Sequence, residues 1–176
     1  MHMVVEARTA AFVTMVQDRL ELSSDDLSPR AASVLTTLLQ RGPVSVSWLS
    51  EIVGVSQPTA TRLIEGLEKR ELVARSPKVR RTVQVRLTRK GRARAQKFDQ
   101  SRQQVMADFL APLTAEQRTQ FGELLDCVLY AGTQNRRHAR TTCRYCNHGV
   151  CCEADCPIDR RAGEVEARER NAVTEA

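Results

Sequence analysis

The chain has 176 residues, 41% hydrophobic and 27% charged, with 27 Lys/Arg against 21 Asp/Glu for a formal net charge of +6. That length buries one substantial core with a short appendage to spare. No run of about 18 apolar residues occurs, which excludes a membrane-spanning helix, and the opening MHMVVEARTAAF lacks the basic leader, apolar core and cleavage pattern of a secretory signal, so a cytoplasmic location is expected.

In residues 3–22, Val5, Phe12, Val13, Val16 and Leu20 recur at helical spacing, and SSDDLSP breaks the pattern. Ser28 caps a second helix with Pro29 at its first position and Val34, Leu35, Leu38 and Leu39 facing the core; Gly42 and Pro43 stop it. A short third helix runs over 45–53, with Trp48, the sole tryptophan, expected to pack between helices. GVS is then the tight turn of a helix-turn-helix.

The stretch from Val55 to Gly91 organises the rest. Ser56 serves as N-cap, Pro58 sits in the first turn where a missing amide hydrogen costs nothing, and Ala60, Leu63, Ile64 and Leu67 form an apolar stripe. The opposite face carries Gln57, Thr61, Arg62, Glu65 and Lys69, groups able to reach base edges and phosphate. After Arg70 come LVAR, a basic tip SPKVRR, and Val83, Val85 and Leu87 alternating with Gln84 and Arg86: a two-stranded hairpin. Helix, hairpin and basic tip follow in the order of a winged helix. Charge is partitioned the same way. Residues 1–68 hold 5 basic and 8 acidic side chains, residues 69–97 hold 12 and 1, and residues 98–176 hold 10 and 12. A basic run is often only a solvated face, but one that coincides with a hairpin tip beside a reading helix points to phosphate.

Thr88 caps a long helix to about Ala111 with Phe98, Val105, Phe109 and Leu110 along it, and only the first of its basic residues is expected to touch phosphate. Pro112 ends it. Thr114 and Gln117 offer a capping box for a further helix with Phe121, Leu124, Leu125, Val128 and Leu129 expected inward, and Cys127 among them expected as core packing or, alternatively, as a dimer-interface thiol.

The runs LSEIVGVSQPTATRLIEGLEKRELV and RRTVQVRLTRKG resemble the MarR family of bacterial transcription regulators across roughly residues 5–133. The combination of S-Q-P-T-x-T-R-L with V-x-L-T-x-x-G, in the right order on a helix, a wing and a following helix, is specific; either motif alone is weak. One place departs: wings of that family usually carry Asp two residues before the tip arginine, where this chain has Val79 before Arg81. The resemblance implies a mostly α fold with a small β-hairpin wing, a winged helix-turn-helix over about 29–91, and a helical dimerisation region from about 3–22 and 89–133, together making a domain of residues 1–136. It implies double-stranded DNA as partner, a homodimer on a pseudopalindromic operator, a repressor, and commonly a small phenolic or aromatic effector; no effector cleft can be read from the residues. The homodimer also follows from apolar surface on the terminal helices that one winged helix cannot cover. The DNA-reading residues expected are Ser56, Gln57, Pro58, Thr59, Thr61 and Arg62 on the helix, with Lys78, Arg80 and Arg81 on the wing.

Five of six cysteines fall in CRYCNHGVCCEADCP, within a cysteine-rich loop of residues 137–160. Cys143 and Cys146 form a C-x2-C pair, and Cys151 and Cys156 follow at four-residue intervals, so four thiolates can surround one ion with Cys152 and His148 as spare donors. Zinc is the first choice because it takes four thiolates tetrahedrally and stabilises segments with little core. An iron–sulfur cluster is the rival, given the C-x2-C pair and final Cys-Pro; a metal-free thiol switch beside Arg137, Arg140 and Arg144 is the third reading. The site is structural or senses metal or redox state. His138 is expected at the surface. Residues 161–176 are polar and are expected to be a frayed helix or flexible tail. A dithiol redox enzyme is disfavoured, since no βαβ pattern surrounds the pair and no His or acid constellation accompanies it, and a DNA binder without sequence preference makes less use of the polar face on the reading helix.

Overall fold

The computed structural model describes residues 2–23, 26–76, 83–146 and 156–174. In chain order the elements are α1 (His2–Ser23), α2 (Pro29–Arg41), β1 (Val44–Ser45), α3 (Val46–Val53), α4 (Gln57–Lys69), β2 (Val73–Arg75), β3 (Gln84–Leu87), α5 (Arg89–Leu110), α6 (Ala115–Gly132), α7 (Arg136–Thr142), a 3-10 turn (Cys143–Tyr145) and α8 (Pro157–Thr174). The fold is mostly helical with one small antiparallel sheet, as the sequence predicts.

The caps decide where these helices start. Ser28, Ser45, Ser56 and Thr88 each accept a backbone N–H three residues on, and Thr114 with Gln117 makes a reciprocal capping box. Gly42 at φ 76° and Gly54 at φ 70° turn the chain out of α2 and α3, a conformation that favours glycine. The expected hairpin is present and gains a third strand: the sheet order is β1-β3-β2, with Val44 opposite Val85 and Val73 opposite Leu87. Two residues between Pro43 and α3 are too few to signal a strand by alternation, so β1 escapes a sequence reading.

One core fills the space between α2, α3, α4, the sheet and α5. Val34, Leu35, Leu38, Leu49, Ile64, Leu67 and Val85 are fully buried in it, and Leu39 and Leu63 pack at its margin. At about 25 cal/mol for each Å² of apolar surface, such side chains are worth roughly 1.5–3 kcal/mol apiece. Within the described chain, α1 lies along α5, with Phe12 and Phe109 edge to face at 5.7 Å.

Four expectations need correction. Trp48 is only half-buried and faces a cavity, with the Arg41 guanidinium 5.8 Å from its ring. Among the described residues the apolar side of α6 has none buried; Leu124, Leu125, Val128 and Leu129 are exposed because no described element lies over them. Cys127 is exposed on the same helix rather than packed in the core. Finally, of the two expectations for residues 161–176, a frayed helix or a flexible tail, the tail is the one to correct: most of the segment belongs to α8. Its small buried face, Ile158 and Ala162 against Ala139, is too narrow to stand out in a polar sequence, but ion pairs reinforce it.

Candidate nucleic-acid interface and cysteine cavity

Helix α4, the expected reading helix, is held by its buried stripe, Ala60, Ile64 and Leu67, which leaves Ser56, Gln57, Pro58, Thr59 and Arg62 exposed and Thr61 half-exposed. The Ser56 hydroxyl is 2.9 Å from that of Thr59 and caps its amide, while the Thr61 hydroxyl donates to the Gln57 carbonyl at 3.0 Å. These three hydroxyls are therefore engaged with the helix itself. Gln57 and Arg62 are the long exposed polar groups best able to reach outward for base edges.

Arg75, which the sequence reading did not single out, ties the wing to this helix. Its guanidinium lies 3.4 Å from Glu68 and 4.0 Å from Glu65. Together with Ser45, Ser47, Gln57, Thr61 and Val83 it lines a groove of about 510 Å³ between the start of α3, α4 and the wing. The wing-tip residues Lys78, Arg80 and Arg81 lie outside the described residues. Behind the wing, Asp26 takes ion pairs from Arg70, just past the end of α4, and from Arg94 on α5, the latter at 2.6 Å, and Lys90 pairs with Glu71 at 3.2 Å. Part of the basic strip is thus neutralised by structural pairs, whereas Arg86, Arg89 and Arg92 face solvent.

The second site lies at the far end of the chain. Asn135 caps α7, and the 3-10 turn closes through the Cys146 amide donating to the Cys143 carbonyl at 2.9 Å, so the C-x2-C spacing sets both sulfurs on one side of a single turn. Cys143, Cys146 and Cys156 line one cavity of about 460 Å³ with Trp48, Arg41 and Arg140. The Cys146 thiol is pulled down to about 6, first by a hydrogen bond from Cys143 and then by the Arg102 and Arg41 charges, against the opposing effect of burial. Among the described residues no group of three His, Cys, Asp or Glu side chains is arranged to hold a metal ion. Cys151, Cys152 and His148 lie outside the described residues. His138 is half-buried, its Nδ1 accepting the Gln134 amide at 3.3 Å.

The described parts on either side of the cysteines dock on the rest of the chain. The Tyr145 hydroxyl donates to the Pro29 carbonyl at 2.7 Å, its ring packs on Phe98, and Arg102 stacks over it at 4.2 Å. Arg136 pairs with Asp159 and Glu166 on α8, and the Tyr130 hydroxyl on α6 donates to Glu164. The Arg136 hydrogen bond holds the Glu166 carboxyl below the usual carboxylate range.

Residues 27–80 match the family model described as the MarR family. The chain is 29% identical over 114 residues to the HTH-type transcriptional repressor MdtR of Bacillus subtilis, covering 63% of this chain and 74% of that protein. It is 30% identical over 117 residues to YdgJ, an uncharacterised HTH-type transcriptional regulator of the same organism, covering 65% and 64%. Its fold is that of the YusO protein from Bacillus subtilis, with a TM-score of 0.66, 24% identity and 74% and 96% of the two chains covered. A MarR family protein from Bacillus stearothermophilus gives 0.65, 24%, 74% and 94%.

Proposed function

We propose, from the match of residues 27–80 to the MarR family model, that the chain is a DNA-binding transcription regulator of that family, a repressor that acts as a homodimer on a pseudopalindromic operator. The observation that carries this reading is α4 itself: one face is locked into the core by Ile64 and Leu67, while Gln57 and Arg62 stand exposed beside a wing tied on by Arg75. Gln57 and Arg62 read bases, Ser56, Pro58, Thr59 and Thr61 shape the helix start that meets the DNA, and Lys78, Arg80 and Arg81 follow the backbone or minor groove. Two such heads are brought together through the uncovered apolar faces of α1 and α6, where Val5, Val13, Leu124 and Val128 are exposed. The decisive experiment selects bound duplexes from a random library and then raises salt and unrelated DNA. A specific regulator keeps its selected sequence under that competition, whereas equal loss on all duplexes marks a binder without sequence preference.

The cysteine segment holds a metal in this proposal. Zinc fits the soft donor set of Cys143, Cys146 and Cys156, which share one cavity, with Cys151 as fourth ligand and Cys152 and His148 as alternatives. Binding one ion would draw the Cys143, Cys146 and Cys156 side chains closer together than they lie around the cavity. Elemental analysis on protein purified without oxygen separates zinc from an iron–sulfur cluster, which would bring visible colour and acid-labile sulfide. The hydrogen bond between Cys143 and Cys146 favours a second reading, a metal-free thiol pair that oxidises reversibly.

A further inference from the structure

Two contacts join the cysteine segment to the end of α3, one turn before the reading helix. The Arg140 guanidinium lies 2.9 Å from the Glu51 carboxylate. The Thr141 hydroxyl stands 3.2 Å from the Glu51 carbonyl and equally from the Arg137 carbonyl. That Glu51 carbonyl also takes the amide of Gly54, the left-handed residue that directs the chain toward Ser56 and α4. A Cβ placed on Gly54 would meet the Thr141 methyl at 3.6 Å, so α7 lies directly on the turn of the helix-turn-helix.

The other side of α7 rests on the cysteines. Cys143 and Cys156 pack against Ala139, Ile158 and Ala162, and Ala162 is fully buried. Arg140 lines the same cavity of about 460 Å³ as Cys143, Cys146 and Cys156, so a group placed on those sulfurs takes up space beside the Arg140 side chain and presses on α7. Displacing α7 withdraws Arg140 and Thr141 from Glu51.

We propose that Glu51 is a positioning residue through which the state of the cysteines reaches the reading helix of the same chain, with α7 as the connecting lever. This rests on the reading of α4 as the DNA-reading helix. It assigns the control to the turn between α3 and α4 within each subunit, independently of the spacing between two subunits. Coupling of this kind needs the cysteine state to favour one position of the turn, and the shared Glu51 carbonyl supplies that link.

The test uses the full chain carrying Cys127→Ser, with methyl methanethiosulfonate as the capping reagent, because it adds a small group to each remaining thiol. Two quantities are read before and after capping: amide hydrogen exchange over residues 46–69 without DNA, and affinity for a duplex selected from a random library. Capping should speed exchange in that segment and weaken DNA binding by about 3- to 10-fold, the scale of one half-exposed ion pair plus one hydrogen bond. In Arg140→Gln/Thr141→Val both responses should vanish, and in the charge exchange Glu51→Arg/Arg140→Glu they should return. A pair that only stabilises the fold would lower the melting temperature yet leave the response to capping intact, and that result overturns the proposal. So does unchanged exchange over 46–69 when the native chain is capped. If the chain selects no DNA, the reading of α4 has failed, and the exchange arm still decides the coupling separately.

Discussion

A Cβ on Gly91 would fall 1.7 Å from the carbonyl oxygen of Leu72, so the first turn of α5 rests directly on the backbone leading into β2. Thr88 completes the joint: its hydroxyl donates to the Glu71 carbonyl at 2.6 Å and accepts the Gly91 amide at 2.9 Å. Glu71 itself has φ 59°, outside the range most side chains favour, and this joint holds it there. Gly91→Ala in a helix interior ordinarily gains about 0.5–1 kcal/mol. Here it should instead destabilise by about 1–3 kcal/mol through backbone overpacking, measured as a lower urea midpoint with an unchanged slope.

Arg62 projects from α4 and is exposed, so its removal leaves the core untouched. Arg62→Ala should weaken binding to a selected duplex by about 1–3 kcal/mol while leaving the melting temperature within error. Equal losses on selected and random duplexes would make it a phosphate contact instead. Arg75→Ala should behave differently, because it frees the wing from Glu65 and Glu68 rather than removing a reading group.

The helix boundaries around the interface were legible because caps and stripes are local signals: Ser56 with Pro58, and Ala60, Ile64 and Leu67, act over one or two turns. What escaped was set by contacts distant in sequence. Arg140 reaches Glu51 and Tyr145 reaches Pro29 across long stretches of chain, and no periodicity within residues 137–160 announces a docking surface. The docking of α8 escaped for a related reason. Ile158 and Ala162 bury a narrow face, and Arg136 meets Asp159 and Glu166, charges that look like solvent groups until α7 is placed beside them. Trp48 and the α6 leucines erred in the other direction, since apolar character predicts burial without saying whether the same chain supplies the cover.

In metal-free protein the Cys146 thiol should ionise near pH 6, because Cys143 donates to its sulfur and Arg102 and Arg41 favour the anion. The unfolded thiol ionises near 8.5. Between those values unfolding takes up a proton, so this contribution is present at higher pH and is lost as pH falls through about 6. Peptide-resolved alkylation by iodoacetamide should therefore have its midpoint for Cys146 near pH 6, and Cys143→Ala should move it upward. An unmoved midpoint in that variant would assign the shift to the two arginines alone.

The exposed face of α6 asks for a partner. Leu124 and Val128 are 65% and 67% exposed and lie one helical turn apart beside Leu125 and Leu129, a contiguous apolar strip rather than scattered side chains. Removing such a strip from water by pairing it with its own copy gives a two-fold interface and two reading heads. Leu124→Glu/Val128→Glu should leave the helical content intact, because neither side chain is buried in the single chain, and should shift the sedimentation coefficient from dimer to monomer. Binding to a two-half-site duplex should then fall far more than binding to one half-site, since one recognition helix spans only a few base pairs. A variant that still sediments as a dimer would assign the interface to a surface other than this strip.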